Sequence, residues 1–192
     1  MDNHGNKVFH PDALLVDNIS LFTEAPLRGP VLDLACGDGH NGIFLASKGI
    51  PVILSDVSAA ALKKAKTWAE RKSVNVRFHQ VDLEKDESNP LQEDFFGGIL
   101  VFRYLHRPLI PHIKKALKMQ GILVYETYTI DQPQFGKPHN PHFLLEHGEL
   151  WGWFKGWSII HFFEGILDNP KRAVAQMVCR KPAELRNGGM LE

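Results

Sequence analysis

Three acidic residues and three glycines carry the chemistry of this sequence. In the run Val31-Leu-Asp-Leu-Ala-Cys-Gly-Asp-Gly-His-Asn-Gly42, the glycines at 37, 39 and 42 allow a turn tight enough for its backbone to approach a ligand closely. The helix expected next would present unpaired N–H groups to that ligand. The Gly37-x-Gly39-x-x-Gly42 spacing also fits a dinucleotide fingerprint, so the acids have to discriminate. Asp33 sits inside the preceding strand, where it would repel a pyrophosphate and attract an ammonium group. Asp56 closes the second strand, where a carboxylate can accept from both hydroxyls of a ribose. Asp82, in Gln-Val-Asp-Leu, ends the third strand and is available to an adenine amino group.

These residues need a sheet to hold them. Val31 to Cys36 reads as a buried strand, followed by the glycine turn, a helix through Ile43 to Ala46 and a stop at Lys48-Gly49. Pro51 to Val57 is a second strand, and Ser58 caps a helix running to about Lys72. Further strands are expected at Val74 to Val81, Ile99 to Phe102 and Ile122 to Tyr128, with a helix from Pro108 to Met119. Strands alternating with helices imply a parallel sheet with helices on both faces. Beyond it, residues 131 to 142 read as a loop and Phe143 to Trp153 as a short helix. Trp157 to Glu164 and Ala173 to Arg180 are then two strands joined through Asp168-Asn169-Pro170, and a turn connection makes them antiparallel. Such a pair has no place in the two-halved dinucleotide fold. Acids and topology together favour S-adenosylmethionine over a nicotinamide cofactor. Asp12 to Phe22 is expected as a helix packed before the first strand.

Composition excludes other classes. With 44% hydrophobic and 23% charged residues and a mean hydropathy of -0.19, the chain reads as an ordinary globular α/β protein, one domain over 1–192. No apolar run is long enough to span a bilayer, and Met1 to Pro11 carries no leader pattern, so no membrane partner and a cytoplasmic location are expected. Lys plus Arg and Asp plus Glu stand at 22 each, so no global field draws the chain to nucleic acid. Cys36 and Cys179 form no disulfide framework and no metal-ligand spacing, and a loop with His139, His142 and His147 lacks partnering cysteines; no metal is expected. Oligomeric state is not encoded in any of these features.

The first motif, Asp33-Leu-Ala35-Cys-Gly37-Asp-Gly39, with Asp56 and Asp82, resembles the class I S-adenosylmethionine-dependent methyltransferases over roughly residues 28 to 181. Arg103-Tyr-Leu-His-Arg-Pro-Leu, Tyr125-Glu-Thr-Tyr and Asn140-Pro-His-Phe-Leu-Leu-Glu-His-Gly-Glu-Leu are similar to segments of tellurite-resistance-like small-molecule methyltransferases. The resemblance implies a Rossmann-like α/β fold with a seven-stranded, mostly parallel sheet in the order 3-2-1-4-5-7-6, strand 7 antiparallel. It implies a cofactor core at 28–181, an N-terminal helical segment at 1–27 folding over the cofactor, and a tail at 182–192. The implied cofactor set is Asp33, Ala35, Cys36, Gly37, Asp38, Gly39, Asp56, Val57, Asp82, Leu83 and Phe102. Ala35 stands where the family has a glycine, and Phe96-Gly97-Gly98-Ile99 lacks the acid common before the fourth strand.

The expected reaction is methyl transfer from S-adenosylmethionine to a small molecule, an in-line displacement in which alignment supplies much of the rate. Alternatives are a protein or RNA acceptor, or a non-catalytic cofactor-binding relative. Arg103, Tyr104 and His106 follow the fourth strand and are the catalytic candidates, with Tyr125, Glu126 and Tyr128 of the fifth strand also at the acceptor end. Arg103 binds an acceptor anion, or else forms an ion pair with Glu126 or another acid. His106 serves as a base or a loop cap, and Tyr104, like Tyr128, lines the acceptor pocket or packs the core. The aromatic run Trp151 to Trp157 is expected to pack the outer face of the sheet.

Overall fold

The computed structural model describes residues 10–85 and 91–183. Residues 1–9 of the N-terminal segment and 184–192 of the tail lie outside the described residues. Seven strands form one sheet: β1 Val31–Leu34, β2 Val52–Asp56, β3 Arg77–Gln80, β4 Phe96–Phe102, β5 Leu117–Tyr128, β6 Ser158–Leu167 and β7 Arg172–Arg180. Their order is β3-β2-β1-β4-β5-β7-β6, with β7 antiparallel to both neighbours and the other pairings parallel, as the resemblance implied.

Alternation along β4 and β5 divides the core into two layers. On one face Val31, Leu100, Val124 and Val178 pack under α1 (Ala13–Asp17), α2 (Ser20–Thr23), α3 (His40–Ala46) and α4 (Ala59–Arg71). On the other, Leu32, Ile99, Tyr125 and Met177 pack under α5 (Ile110–Ala116) and α6 (Glu149–Phe154). Helices stand on both faces, but the second layer covers only the β4–β5–β7 half. Between β3 and β4 the described residues contain no helix, and a cavity of about 350 Å³ opens against Leu32, Ile53, Phe78, Phe95 and Phe96. The aromatic run behaves as expected: Phe154 is fully buried, with Trp157 edge-on at 5.1 Å.

Several element bounds differ from the sequence reading, each for a local reason. The expected helix from Asp12 to Phe22 is two short ones, because the Asn18 side-chain amide donates to the Leu14 carbonyl at 2.9 Å and closes the first. Helix α5 stops at Ala116 because Leu117 is already extended and paired with Phe96. Leu145 forms a bridge to Thr129, so the expected Phe143 helix begins only at Glu149, after Gly148 at φ 72°. The third strand is short and wholly exposed.

The glycines that replace the usual acid before β4 have a packing role. Pro30 accepts from Gly97 N at 3.0 Å, and a methyl group on Gly97 would lie 2.7 Å from the Gly29 carbonyl oxygen and 2.9 Å from Leu27 Cβ. Phe22 of α2 rests on Gly98 in the same way. Gly97→Ala is expected to cost about 1–3 kcal/mol in a urea titration, the usual range for overpacking against fixed backbone; an unchanged midpoint would show that the Leu27–Pro30 segment yields.

Candidate functional site

The β1–α3 turn is held from both sides by carboxylates. Asp33, 2% exposed, accepts from Gly42 N at 2.8 Å, and Asp56 accepts from Gly37 N at 2.8 Å and from Ser58 N at 2.8 Å. The three motif glycines serve different needs. A methyl on Gly42 would lie 2.3 Å from Leu54 Cδ2, and one on Gly39 2.9 Å from Leu54 Cδ1, so both are required by the seat of α3 on β2. Gly37, at φ 56°, has nothing within 4 Å of such a methyl: its open side is the surface a ligand would lie against. Ala35 also has a left-handed backbone, φ 52°, which costs a non-glycine residue about 1–2 kcal/mol. The departure from the family is thus one of backbone strain as well as bulk.

Burial pushes the Asp33 carboxyl up to about 7, against the Gly42 hydrogen bond and the His40 charge that lower it. A buried acid held near neutrality, one residue from a ligand-facing turn, would gain from a cationic partner. Cys36 is buried, and burial with the charges of Asp33 and Asp56 drives its thiol far upward; it is a packed apolar group.

The ends of β2 and β3 form the second part of the site. Val57 is 59% exposed beside Asp56, Asp82 is exposed and accepts from Glu84 N at 3.0 Å, and Leu83 is buried. Tyr104 belongs here. Its phenol is pushed upward first by burial and then by Glu84, Asp82 and Asp56, so it stays protonated beside these acids. Of the two alternatives read from sequence, an acceptor pocket or the core, Tyr104 packs half-buried against the Leu32–Tyr125 core layer. Phe102 ends β4 on the α1–α4 face, buried.

The sequence reading missed the network that joins the N-terminal segment to this site. Asp12 accepts from Asn41 Nδ2 at 2.9 Å and from Arg103, contacts His40 Nε2 at 3.0 Å, and donates its own N–H to Asn41 Oδ1 at 2.8 Å. His40 reaches Asp38 through Nδ1 at 2.9 Å. Arg103 therefore takes its ion-pair alternative, with Asp12 in place of Glu126, from a left-handed backbone at φ 56°. Burial alone would raise the Asp12 carboxyl, but His40, Asn41 and Arg103 outweigh it and hold the group below the ordinary range. Burial alone would lower His40, but its bonds to Asp12 and Asp38 leave it above 6.5.

Beyond Arg103, Glu126 lies 2% exposed on β5 and accepts from Gln176 Nε2 at 2.5 Å, and Gln176 Oε1 meets His161 Nε2 at 3.1 Å. His106 sits half-buried before a 3-10 turn at Arg107–Leu109. Arg107, also missed, grips Glu149 at 2.6 and 2.8 Å and donates to the Leu144 carbonyl at 2.8 Å, tying the 144–149 segment to the loop after β4. Among the described residues no group of three or more His, Cys, Asp or Glu is placed to hold a metal, and no helix is long and apolar enough to cross a membrane.

Comparison with known proteins agrees with this geometry. Residues 31–121 match the methyltransferase domain family. Hemagglutinin 1 of Eikenella corrodens is 28% identical over 151 residues, 75% of this chain and 48% of that protein. A probable S-adenosyl-L-methionine-dependent methyltransferase, TehB of Haemophilus influenzae, is 26% identical over 144 residues, 71% of this chain and 48% of its own. Its crystal structure superposes with a TM-score of 0.72 at 22% identity, covering 87% of this chain and 61% of that one, a likeness of fold. The tRNA 5-carboxymethoxyuridine methyltransferase of Escherichia coli is 27% identical over 165 residues, 83% of this chain and 57% of its own. The chain spans about half the length of the curated relatives it matches.

The Asp12–His40 contact has a pH signature. His40 is raised on folding, so its contribution is complete below its unfolded value near 6.5 and is lost as pH rises through the higher folded value. His40→Gln is expected to cost about 1 kcal/mol at pH 6 and less at pH 9, the scale of a partly exposed pair. Equal costs at both pH values, by denaturant unfolding, would mean that the imidazole acts only by packing.

Proposed function

We propose that the chain is a class I, S-adenosylmethionine-dependent methyltransferase that transfers the methyl group of that cofactor to a small-molecule acceptor. The observation that carries this reading is the cradle made by Asp33, the open face of Gly37 and the strand-end carboxylate of Asp56. We assign Asp33 to the cofactor's ammonium group, and the Ala35, Cys36, Gly37, Asp38 and Gly39 turn to close backbone contact. Asp56 takes the ribose, Val57, Leu83 and Tyr104 the surroundings of the adenine, and Asp82 its amino group. Phe102 lies beneath, and Arg103 and His106 stand on the acceptor side. When bound, S-adenosylmethionine supplies a methyl group on a positively charged sulfur.

The protein's contribution is alignment and exclusion of water, which can be worth about 7–11 kcal/mol. Residues 10–27 act as a lid in this reading, held down by Asp12 on His40, Asn41 and Arg103. The balance of charge, which sets up no global field toward a phosphate backbone, supports a small acceptor. A tRNA acceptor is the second reading, favoured by the tRNA methyltransferase relative. Two buried, unpaired cysteines suit a reducing, cytoplasmic setting.

Calorimetry tests the cofactor. S-adenosylmethionine is expected to bind below about 1 mM, within the usual range of substrate affinities, and NAD not to bind. Asp56→Ala should weaken binding roughly tenfold or more, the worth of one charged hydrogen bond. Unchanged affinity would displace the ribose site, and binding of NAD instead would make the chain an oxidoreductase. Electrophoretic mobility with tRNA distinguishes the acceptors: a stable complex would favour the second reading.

Asp33 makes a further test. Its folded value of about 7 means that it is largely protonated at pH 6, and an ammonium neighbour would lower it. Binding at pH 6 is expected to release most of a proton, and binding at pH 8.5 none from this group. Titrations in buffers of different ionisation enthalpy read this directly. No release at pH 6, or the same release in Asp33→Asn, would take the ammonium elsewhere.

A further inference from the structure

Glu126 is a buried carboxylate whose hydrogen bonding is incomplete. Its Oε2 is occupied by Gln176 at 2.5 Å, but Oε1 is buried with no hydrogen-bond partner, and the guanidinium of Arg172 stands at 3.8 Å. A buried acceptor left unsatisfied costs about 1–3 kcal/mol, more when charged, and such groups persist where another need holds them.

The fold says where this oxygen lies. Residue alternation puts Glu126 on the same face as Val124 and Val178, the face of α1 and α3, and Asp33 lies on that face too, bonded to Gly42 of α3. Glu126 pairs with Phe102 at the end of β4, and its carbonyl accepts from Arg103 N at 2.8 Å. In the sheet order, Asp56 and Asp82 lie on the β2 and β3 side of Asp33, and Glu126 lies two strands away on the opposite side, roughly 10 Å across the sheet at the usual strand spacing. A ligand whose nucleoside rests on β2 and β3 has its reactive end toward β4 and β5. Arg172 comes from the β6–β7 hairpin at the same edge.

We propose that Glu126 takes the proton of the methyl acceptor, and that the acceptor accordingly presents a protonated oxygen or nitrogen, a hydroxyl or an amine. This rests on the methyl-transfer reading. The acceptor's lone pair forms the new bond to the methyl carbon, the carbon–sulfur bond breaks with its electron pair going to sulfur, and the acceptor's proton passes to Glu126 Oε1 and then to solvent. Gln176 and Arg172 are positioning residues: one fixes the carboxylate plane through Oε2, and the other sets a positive charge 3.8 Å from Oε1. An anionic chalcogen acceptor has no proton to give and would meet a like charge here.

Two cofactor analogues test this without knowledge of the acceptor. S-adenosylhomocysteine lacks the methyl group, and sinefungin carries an amine in its place. Wild-type protein is expected to bind sinefungin at least fivefold more tightly than S-adenosylhomocysteine. Glu126→Gln should bind S-adenosylhomocysteine within twofold of wild type and lose that preference. Equal affinity for the two analogues in wild type, a comparison that needs no variant, would overturn the proposal, as would a preference undiminished in Glu126→Gln. Failure of S-adenosylhomocysteine to bind at all would instead remove the methyltransferase reading, and this inference with it.

Discussion

Two backbone hydrogen bonds, from Gly42 to Asp33 and from Gly37 to Asp56, fix the turn on which the rest of the site depends. Each acceptor comes from a different strand, so the turn is stitched to β1 and β2 at once. The parallel register, Asp33 against Leu54 and Leu34 against Ser55, is therefore part of the site. A slip of one residue would turn Asp33 to the opposite face and leave Gly42 without its acceptor. The same bond explains why Asp33 tolerates 2% exposure: one strong donor lowers its carboxyl while burial raises it, and burial prevails. The site is thus built with an acid whose ionisation burial disfavours and a nearby cation would favour.

Much of this was legible in the sequence because it is local. Strand runs such as Val31 to Leu34 and Val52 to Asp56 are short and apolar, Ser58 caps its helix as its type predicts, and the terminal strands can only pair through their turn. Asp33, Asp56 and the glycines lie close together in the chain, so spacing alone placed them. Helix bounds were less visible, since Asn18 acts through one side-chain hydrogen bond and Leu145 through two backbone bonds, to Tyr128 and Ile130, that periodicity does not register.

The contacts that sequence did not reveal join distant residues. Arg103 and Asp12 are 91 positions apart, and Arg107 and Glu149 are 42 apart. Charge type offers several partners for each arginine, and only the fold selects one. Tyr104 illustrates the same limit: its place after β4 was clear, but its burial beside Glu84, Asp82 and Asp56 emerges only from the fold. His40 and Asn41 stood inside the motif itself, yet their roles emerge only when Asp12 is brought over them.

Charge pairing at the carboxyl edge of the sheet narrows what the acceptor can be. Arg103 is matched by Asp12, Arg107 by Glu149, and His40 by Asp12 and Asp38. An anionic acceptor seeking Arg103 would have to displace an internal carboxylate that is held by three other hydrogen bonds of the Asp12 backbone and side chain. That exchange returns little, because one ion pair replaces another while the half-buried Asp12 loses one of its partners. A proton-bearing acceptor at the proposed site would displace nothing: it would supply the donor that Glu126 Oε1 lacks. If Glu126 takes the acceptor's proton as proposed, the balance of free energy favours the hydroxyl or amine over the anion, through a residue on β5 that lies outside the glycine motif.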